Sequence, residues 1–383
     1  MNNKVNFIEK VGFKEFKLKI NRHFKIDWRI EMIIMDLIKN RFLSIGCLIS
    51  IFLCLTFLIV PLHETAAMQS EEKTISKLVE GAKKEGKVVL YTTSGTEEAY
   101  KIIRKFMQRY PFIKATFYRT GSEKLMIRSV AEHHSNKFLF DVIWITSPEV
   151  EILKEKGVLG KYFSAHRDYI NDKDPEGYWT DAFLTINTIG YNTRLVSPQE
   201  APKTMEDLLD PKWKGKIGMD TKAFYWFAAL LKIMGEEKGL EYMKKLSEQD
   251  IQFRTGKTLN TQFLSAGEMS IGITLLNYIV EAMKMKGAPV EWIAIEPVIA
   301  GIHPAGISSN APHPNAAKLL LEWILSREGQ KVLAGTGRIP SRIDVDPLVP
   351  KLKKGLKIAP YDSSIAKDYQ KYVNLYRKVL MKK

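Results

Sequence analysis

Three apolar, β-rich runs, at residues 87–93 (KVVLYTT), 114–119 (KATFYR) and 141–145 (DVIWI), are separated by segments of helical periodicity. In 96–108, Ala99, Ile102, Ile103 and Phe106 recur at the three- and four-residue spacing that gathers them on one side of a helix. Residues 122–134 read as a second helix, with Ser122 as its cap. Ser147-Pro148 opens another, because proline is pre-set for the first helical turn. Returning a strand to the same direction takes a crossover of about helix length. The alternation therefore restricts the chain to the α/β class, with parallel strands covered by helices on both faces.

The pattern changes near Thr180. Residues 182–191 (AFLTINTIGY) form a long run of mixed character, suited to crossing between lobes. Helices are predicted at 205–209, 223–234, 237–248, 258–266 and 278–286, and strands at 216–219, 251–254, 269–275 and 290–294. Residues 301–314, rich in Gly, Pro, Ser and Asn, read as a loop region. Helices at 315–325 and 328–334 and a basic helix near 364–382 close the chain. With 383 residues, of which 45% are hydrophobic, two domains can each bury an ample core.

The formal net charge is +15. Ten Lys/Arg against five Asp/Glu fall in the first 41 residues, and the rest stays basic. No basic run, Cys/His cluster or RNA-binding aromatic signature accompanies this charge, so nucleic acid is not an expected partner. Dispersed surface lysines account for it, and a basic body also favours anion capture. Both cysteines, Cys47 and Cys54, lie in the 19-residue apolar run Phe42–Val60. That run follows Lys39-Asn40-Arg41 and precedes Thr65-Ala66-Ala67, the layout of an export signal cut near Ala67. The alternative is an uncut membrane anchor. Cleavage leaves a chain without cysteine, which excludes cysteine catalysis. Residues 1–41 read as a basic extension, either a gene-model artefact upstream of Met32 or Met35 or a genuine cytoplasmic segment.

Residues 210–220 read DPKWKGKIGMD. Asp210-Pro211 stops a helix, Trp213 can cover the lobe behind it, Gly215 permits a turn, and Asp220-Thr221 falls where a strand ends. The stretch resembles the PKWKGKIG segment of family 1 extracellular solute-binding proteins of ABC transporters, especially their ferric-iron branch. AGEMSIGI (266–273), KGAPVEW (286–292) and NAPHPNAAKLLLEWILSREGQ (310–330) extend the resemblance over about 87–342. It implies the two-lobed periplasmic-binding-protein type II architecture, each lobe a sheet flanked by helices, with a hinge near 180–192 and 297–308. The first lobe is expected to take 68–180 and about 301–345. The second is expected to take 181–300 and the C-terminal helix, 346–383. The resemblance further implies a periplasmic or extracellular monomer, not an enzyme and without cofactor, that hands a small solute to a membrane permease.

A ligand between such lobes meets loops at strand ends and helix N-termini, where unpaired N–H groups favour anions. In the first lobe these loops carry Thr93, Ser94 and Gly95, then Arg119 and Thr120, then Thr146 and Ser147. Arg119 can clamp a carboxylate or phosphate, or be a surface arginine. Ser94 and Ser147 can equally be helix caps. In the second lobe the candidates are Asp220, Thr221, Tyr225, Thr258, Asn277 and Tyr278. Asp220 and Thr221 can bind solute or cap a helix, and Tyr225 can stack in the cleft or pack in the core.

The ferric branch holds iron with two adjacent tyrosines, usually helped by a histidine and an acidic residue. Here that pair is Asn277-Tyr278, and the other two positions fall at about Gly95 and Thr146. Hard Fe(III) suits phenolate and carboxylate oxygen, so a lone Tyr278 makes a poor site. No metal is therefore expected, and the solute is read as organic or oxyanionic. The alternatives are a ferric receptor with an atypical site and a membrane-tethered sensing domain. His133, His134, His303 and His313 show no metal-binding spacing.

Overall fold

In the computed structural model, strand β1 (Lys87–Thr92) pairs in parallel with β2 (Lys114–Arg119) and with β3 (Val142–Trp144). The structure describes residues 75–359 and 361–382. The apolar run at 42–60 and the cleavage site expected near Ala67 lie outside the described residues. Helices Thr96–Arg109 and Ser122–His134 supply the crossovers, and on the first, Ala99, Ile102, Ile103 and Phe106 are all buried, as their spacing predicts. Among the described residues no helix is long and apolar enough to cross a membrane.

The same parallel arrangement recurs later in the chain. β4 (Leu159–Gly160) is a short pairing strand, and β5 (Thr180–Asn192) is the long run expected to cross between lobes. Beyond it, β6 (Ile217–Asp220) lies between β7 (Gln252–Arg254) and β8 (Ile271–Leu276), parallel to both. β9 (Val290–Ile293) and β10 (Val298–Ser308) then return antiparallel to β5. The strand order is β2-β1-β3-β10-β5-β8-β6-β7, so the antiparallel β5–β10 pair joins the two parallel sets edge to edge.

The strand β10 overturns the loop reading of residues 301–308. Its glycines and proline suggested irregular backbone, yet it pairs with β3, β4 and β5. The register shifts between Ile302 and Pro304, which places the residue without an N–H donor at an irregularity where a ladder bond is already lost. Two expected caps also differ. Gly95 and Gly121, not Ser94 and Ser122, occupy the N-cap positions, and neither helix has a side-chain cap. Asp210 does cap as a helix-stopping residue should, its carboxylate accepting from Lys212 N at 3.0 Å ahead of the short turn Pro211–Trp213. Gly215 follows at φ +74°, a conformation that a side chain disfavours.

Among the described residues four apolar clusters hold these layers, three of them large. One gathers Trp213, Ile217, Phe227, Ile271 and Tyr376, so the C-terminal helix Tyr369–Val379 packs with the β6–β8 set. A second joins Val88, Leu90, Phe106 and Val142 to Leu320, Trp323 and Leu333, from the helices Pro314–Leu325 and Arg327–Ala334. The third, around Ile143, Leu153, Trp179 and Ile186, includes Leu352.

Candidate functional site

In open α/β sheets ligands lie beyond the carboxyl ends of the strands. Here those ends are followed by the loops at 93–95, 120–121 and 145–148 in one set and at 221–223 and 255–256 in the other, where β8 runs directly into the helix Asn277–Met285.

Lys257 is the first residue of helix Lys257–Ala266, after the N-cap Gly256 at φ +103°. Its Nζ donates to Asn187 Oδ1 at 2.7 Å and to Thr274 O at 2.9 Å. Both partners are neutral, and among the described residues no carboxylate lies within 4.0 Å of this ammonium. Burial lowers its pKa, partly offset by the charge of Asp220. A cation at a helix N-terminus also opposes the helix dipole, and that turn holds no acidic residue to relieve it. Thr274 adds strain of its own: it is β-branched, sits at φ +60°, and its buried hydroxyl has no partner.

Arg338 brings a second cation. Its Nε and Nη2 grip the Glu98 carboxylate at 2.6–3.0 Å, and its guanidinium lies 4.4 Å from the Tyr278 ring centre and 4.7 Å from that of Phe183. The His303 ring stacks on Phe183 at 4.0 Å. Burial holds His303 well below the usual imidazole range, and the charges of Arg338 and Lys257 push the same way. Burial raises the Tyr278 phenol, so it stays neutral. The set Lys257, Arg338 and His303 thus has an excess of positive charge and one paired carboxylate.

A more acidic group lies at the other loops. Thr146 Oγ1 contacts Ser122 Oγ and bonds Glu149 Oε2 at 3.0 Å. Burial pushes the Glu149 carboxyl up to about 7. Glu123 meets Lys222 Nζ at 3.6 Å, an exposed contact between the helix that follows β2 and the loop that follows β6.

The expected site residues divide accordingly. Thr93 and Thr120 are tied by their backbone N–H groups to Trp144 O and Thr92 O. Ser94 is buried, and its carbonyl accepts from Arg119 Nε at 3.3 Å, so exposed Arg119 braces the loop that Gly95 ends. Ser147 Oγ is buried without a partner. Asp220 is turned inward: its Oδ1 accepts from Lys222 N at 3.1 Å and Gly256 N at 3.3 Å. Thr221 shares its hydroxyl with Thr255. Tyr225 stacks on Tyr361 and its hydroxyl accepts from Asp362 N at 3.1 Å. Thr258 is exposed on the first turn after Lys257. Asn277 is fully buried and donates to Leu352 O at 2.9 Å, whereas Tyr278 meets Arg338.

Sequence reasoning missed Lys257, Arg338, Glu98 and Glu149. A lysine at a helix N-terminus was the one available signal, since the dipole disfavours it there. Glu98 and Arg338 are 240 residues apart, and nothing local marks them as partners. The sequence marks His303 only as a histidine without metal-binding spacing. Among the described residues no group of three or more His, Cys, Asp and Glu is placed to hold a metal ion.

Two parallel sets of strands joined by crossing strands, with polar loops at their ends, define a two-lobed binding protein. The chain belongs to the bacterial extracellular solute-binding protein family, whose profile matches residues 101–360. Such proteins serve ABC importers as extracellular or periplasmic receptors, implying a small-molecule ligand and a permease partner. An uncharacterized protein of Haemophilus influenzae is 26% identical over 271 residues, 66% of this chain and 76% of that one. Among solved structures, AfuA from Actinobacillus pleuropneumoniae, with exogenous fructose-6-phosphate bound, shares 25% identity at a TM-score of 0.67. That match covers 77% of this chain and 99% of AfuA. Iron-bound HitA from Pseudomonas aeruginosa shares 20% identity at a TM-score of 0.69, over 76% of this chain and 99% of HitA.

Proposed function

We propose that this receptor captures a small anionic organic solute, such as a phosphate ester, against Lys257, Arg338 and His303, and delivers it to the permease without turnover. The carrying observation is the half-buried ammonium of Lys257, hydrogen-bonded to neutral oxygens at a helix N-terminus. A half-buried cation whose counter-charge, Asp220, stays beyond ion-pair contact is costly, and an anion there offsets the cost. The sugar phosphate bound by AfuA agrees with this chemistry. The lobes are taken as 68–180 with about 301–345 and as 181–300 with the C-terminal helix, closing about β5 and β10. Thr93, Ser94, Gly95, Thr120, Thr146, Ser147, Thr221 and Thr258 are proposed to line the cleft; the Thr93 and Thr120 N–H groups and the Thr146 and Thr221 hydroxyls already have protein partners, so a solute meets them as a second contact.

HitA was solved with iron, which keeps the ferric reading in view. The site argues against it. Asn277 puts a neutral amide where the ferric branch has a phenolate, its Nδ2 donating to Leu352 O, and Arg338 lies over the Tyr278 ring, where its charge repels Fe(III).

Mass spectrometry of solute released from the purified protein, followed by calorimetry with fructose 6-phosphate, inorganic phosphate and ferric citrate, tests the reading. Binding of the phosphate compounds without iron-phenolate colour is expected. Saturation by iron with such colour, and no response to either phosphate compound, overturns it.

A further inference from the structure

Both cations of the site are hydrogen-bond donors. Lys257 spends two of its N–H bonds on Asn187 and Thr274 and keeps a third. Arg338 donates to Glu98 and packs over the rings of Tyr278 and Phe183. Such donors accept any oxyanion of suitable size, so they do not by themselves separate a phosphate ester from a sulfate ester.

His303 differs from them. Ile145 N donates to Pro304 O and Ser147 N to Ile302 O, which sets His303 opposite Thr146 where β10 runs beside the end of β3. Its backbone is held on both sides: its N–H donates to Asp181 Oδ1 at 2.7 Å, and its carbonyl accepts from Trp144 Nε1 at 2.8 Å. The imidazole stacks on Phe183, the ring that Arg338 also meets. The residue is half-buried, and among the described residues neither ring nitrogen is hydrogen-bonded or enclosed.

The surrounding groups keep that ring uncharged. Arg338 and Lys257 repel a proton from it, and Glu98 is committed to Arg338. Burial raises the carboxyl of Asp181, which Ser341 also contacts, and that of Glu149, which Thr146 bonds. Tyr278 stays neutral. A neutral imidazole has one donating and one accepting nitrogen, so a single acceptor stands open among the donors. A fully ionised oxyanion has no hydrogen for it and leaves that nitrogen unpaired. A phosphate monoester that keeps one proton meets both demands: its ionised oxygens accept from Lys257 and Arg338, and its P–OH donates to the imidazole. On the reading that Lys257 and Arg338 capture an anion, we infer that His303 is a specificity-determining residue, which selects a phosphate monoester in its singly protonated form over fully ionised oxyanions such as sulfate esters.

Calorimetry with fructose 6-phosphate and fructose 6-sulfate at pH 5.5 and 7.5 tests this. The second proton of a phosphate monoester leaves near pH 6, so its singly protonated form falls roughly twentyfold between the two values. Fructose 6-phosphate affinity is expected to fall by about that factor. At pH 5.5 the sulfate ester is expected to bind more weakly than the phosphate ester by about tenfold or more, the effect of one unpaired polar group. H303Q, whose amide can turn an acceptor or a donor to the solute, is expected to bring the two esters within about threefold and to flatten most of the pH profile. E149Q is expected to keep both the profile and the preference. Equal affinity of the wild type for the two esters overturns the inference even where affinity varies with pH, since a proton carried by His303 itself serves both esters alike. A preference kept in full by H303Q, or lost in E149Q, overturns it too. Should H303Q fail to fold, the wild-type comparison of the two esters decides alone. No binding of either ester at either pH overturns the reading of the cationic set as well, whereas equal binding of both leaves that reading standing.

Discussion

The ammonium of Lys257 donates to the side-chain oxygen of Asn187 at 2.7 Å, tying the start of a helix to the middle of the crossing strand β5. The contact places a cation beside the element that joins the two strand sets. On the proposed reading, a solute anion that reaches Lys257 acts beside the strand about which the lobes close.

K257M is expected to weaken fructose 6-phosphate binding at least tenfold, read by calorimetry, with the melting temperature moving only a few degrees. The lost attraction is large because the ammonium is half-buried. The stability change is small because losing two hydrogen bonds is offset by no longer burying a charge. Burial lowers the Lys257 pKa, so affinity in the wild type falls as pH rises through that value, below the ordinary 10.5.

Asp220 acts on stability. Its carboxylate holds the N–H groups of Lys222 and Gly256. D220A is expected to cost about 1–2 kcal/mol in urea unfolding, the scale of a lost cap, and D220N to recover most of it.

Glu149 makes stability depend on pH. Its carboxyl titrates near 7 when folded, against 4.5 when exposed. Between those values the folded protein keeps a proton that the unfolded chain has released, so stability falls as pH rises across the window. E149Q removes this loss. Relative to wild type it is expected to gain up to about 3 kcal/mol at pH 8 and nothing at pH 4, measured by urea unfolding at both.

Trp213 is 5% exposed and packs among Ile217, Phe227 and Leu246. W213A is expected to destabilise by about 3–5 kcal/mol, and W213F by much less, since a ring still fills the site. Neither is expected to change the affinity of the remaining folded protein for phosphate esters.

What the sequence by itself determined is local. The spacing of Ala99, Ile102, Ile103 and Phe106 specifies a helix and its buried side, because a helix repeats every 3.6 residues whatever it packs on. The alternation of such helices with apolar runs specifies parallel strands, and the two-lobed plan comes with the resemblance carried by longer stretches such as DPKWKGKIGMD. DPKWKGKIGMD carries its cap, its turn and its strand within eleven residues, because each depends on near neighbours. Tertiary structure alone decided the rest. β10 is a strand because β3 and β5 pair with it, against its own glycines and proline. Arg338 finds Glu98 across 240 residues, and Lys257 finds Asn187 across 70. The charge balance of the site is set by those meetings, since a lysine's partner, enclosure and pKa depend on what the folded chain brings beside it.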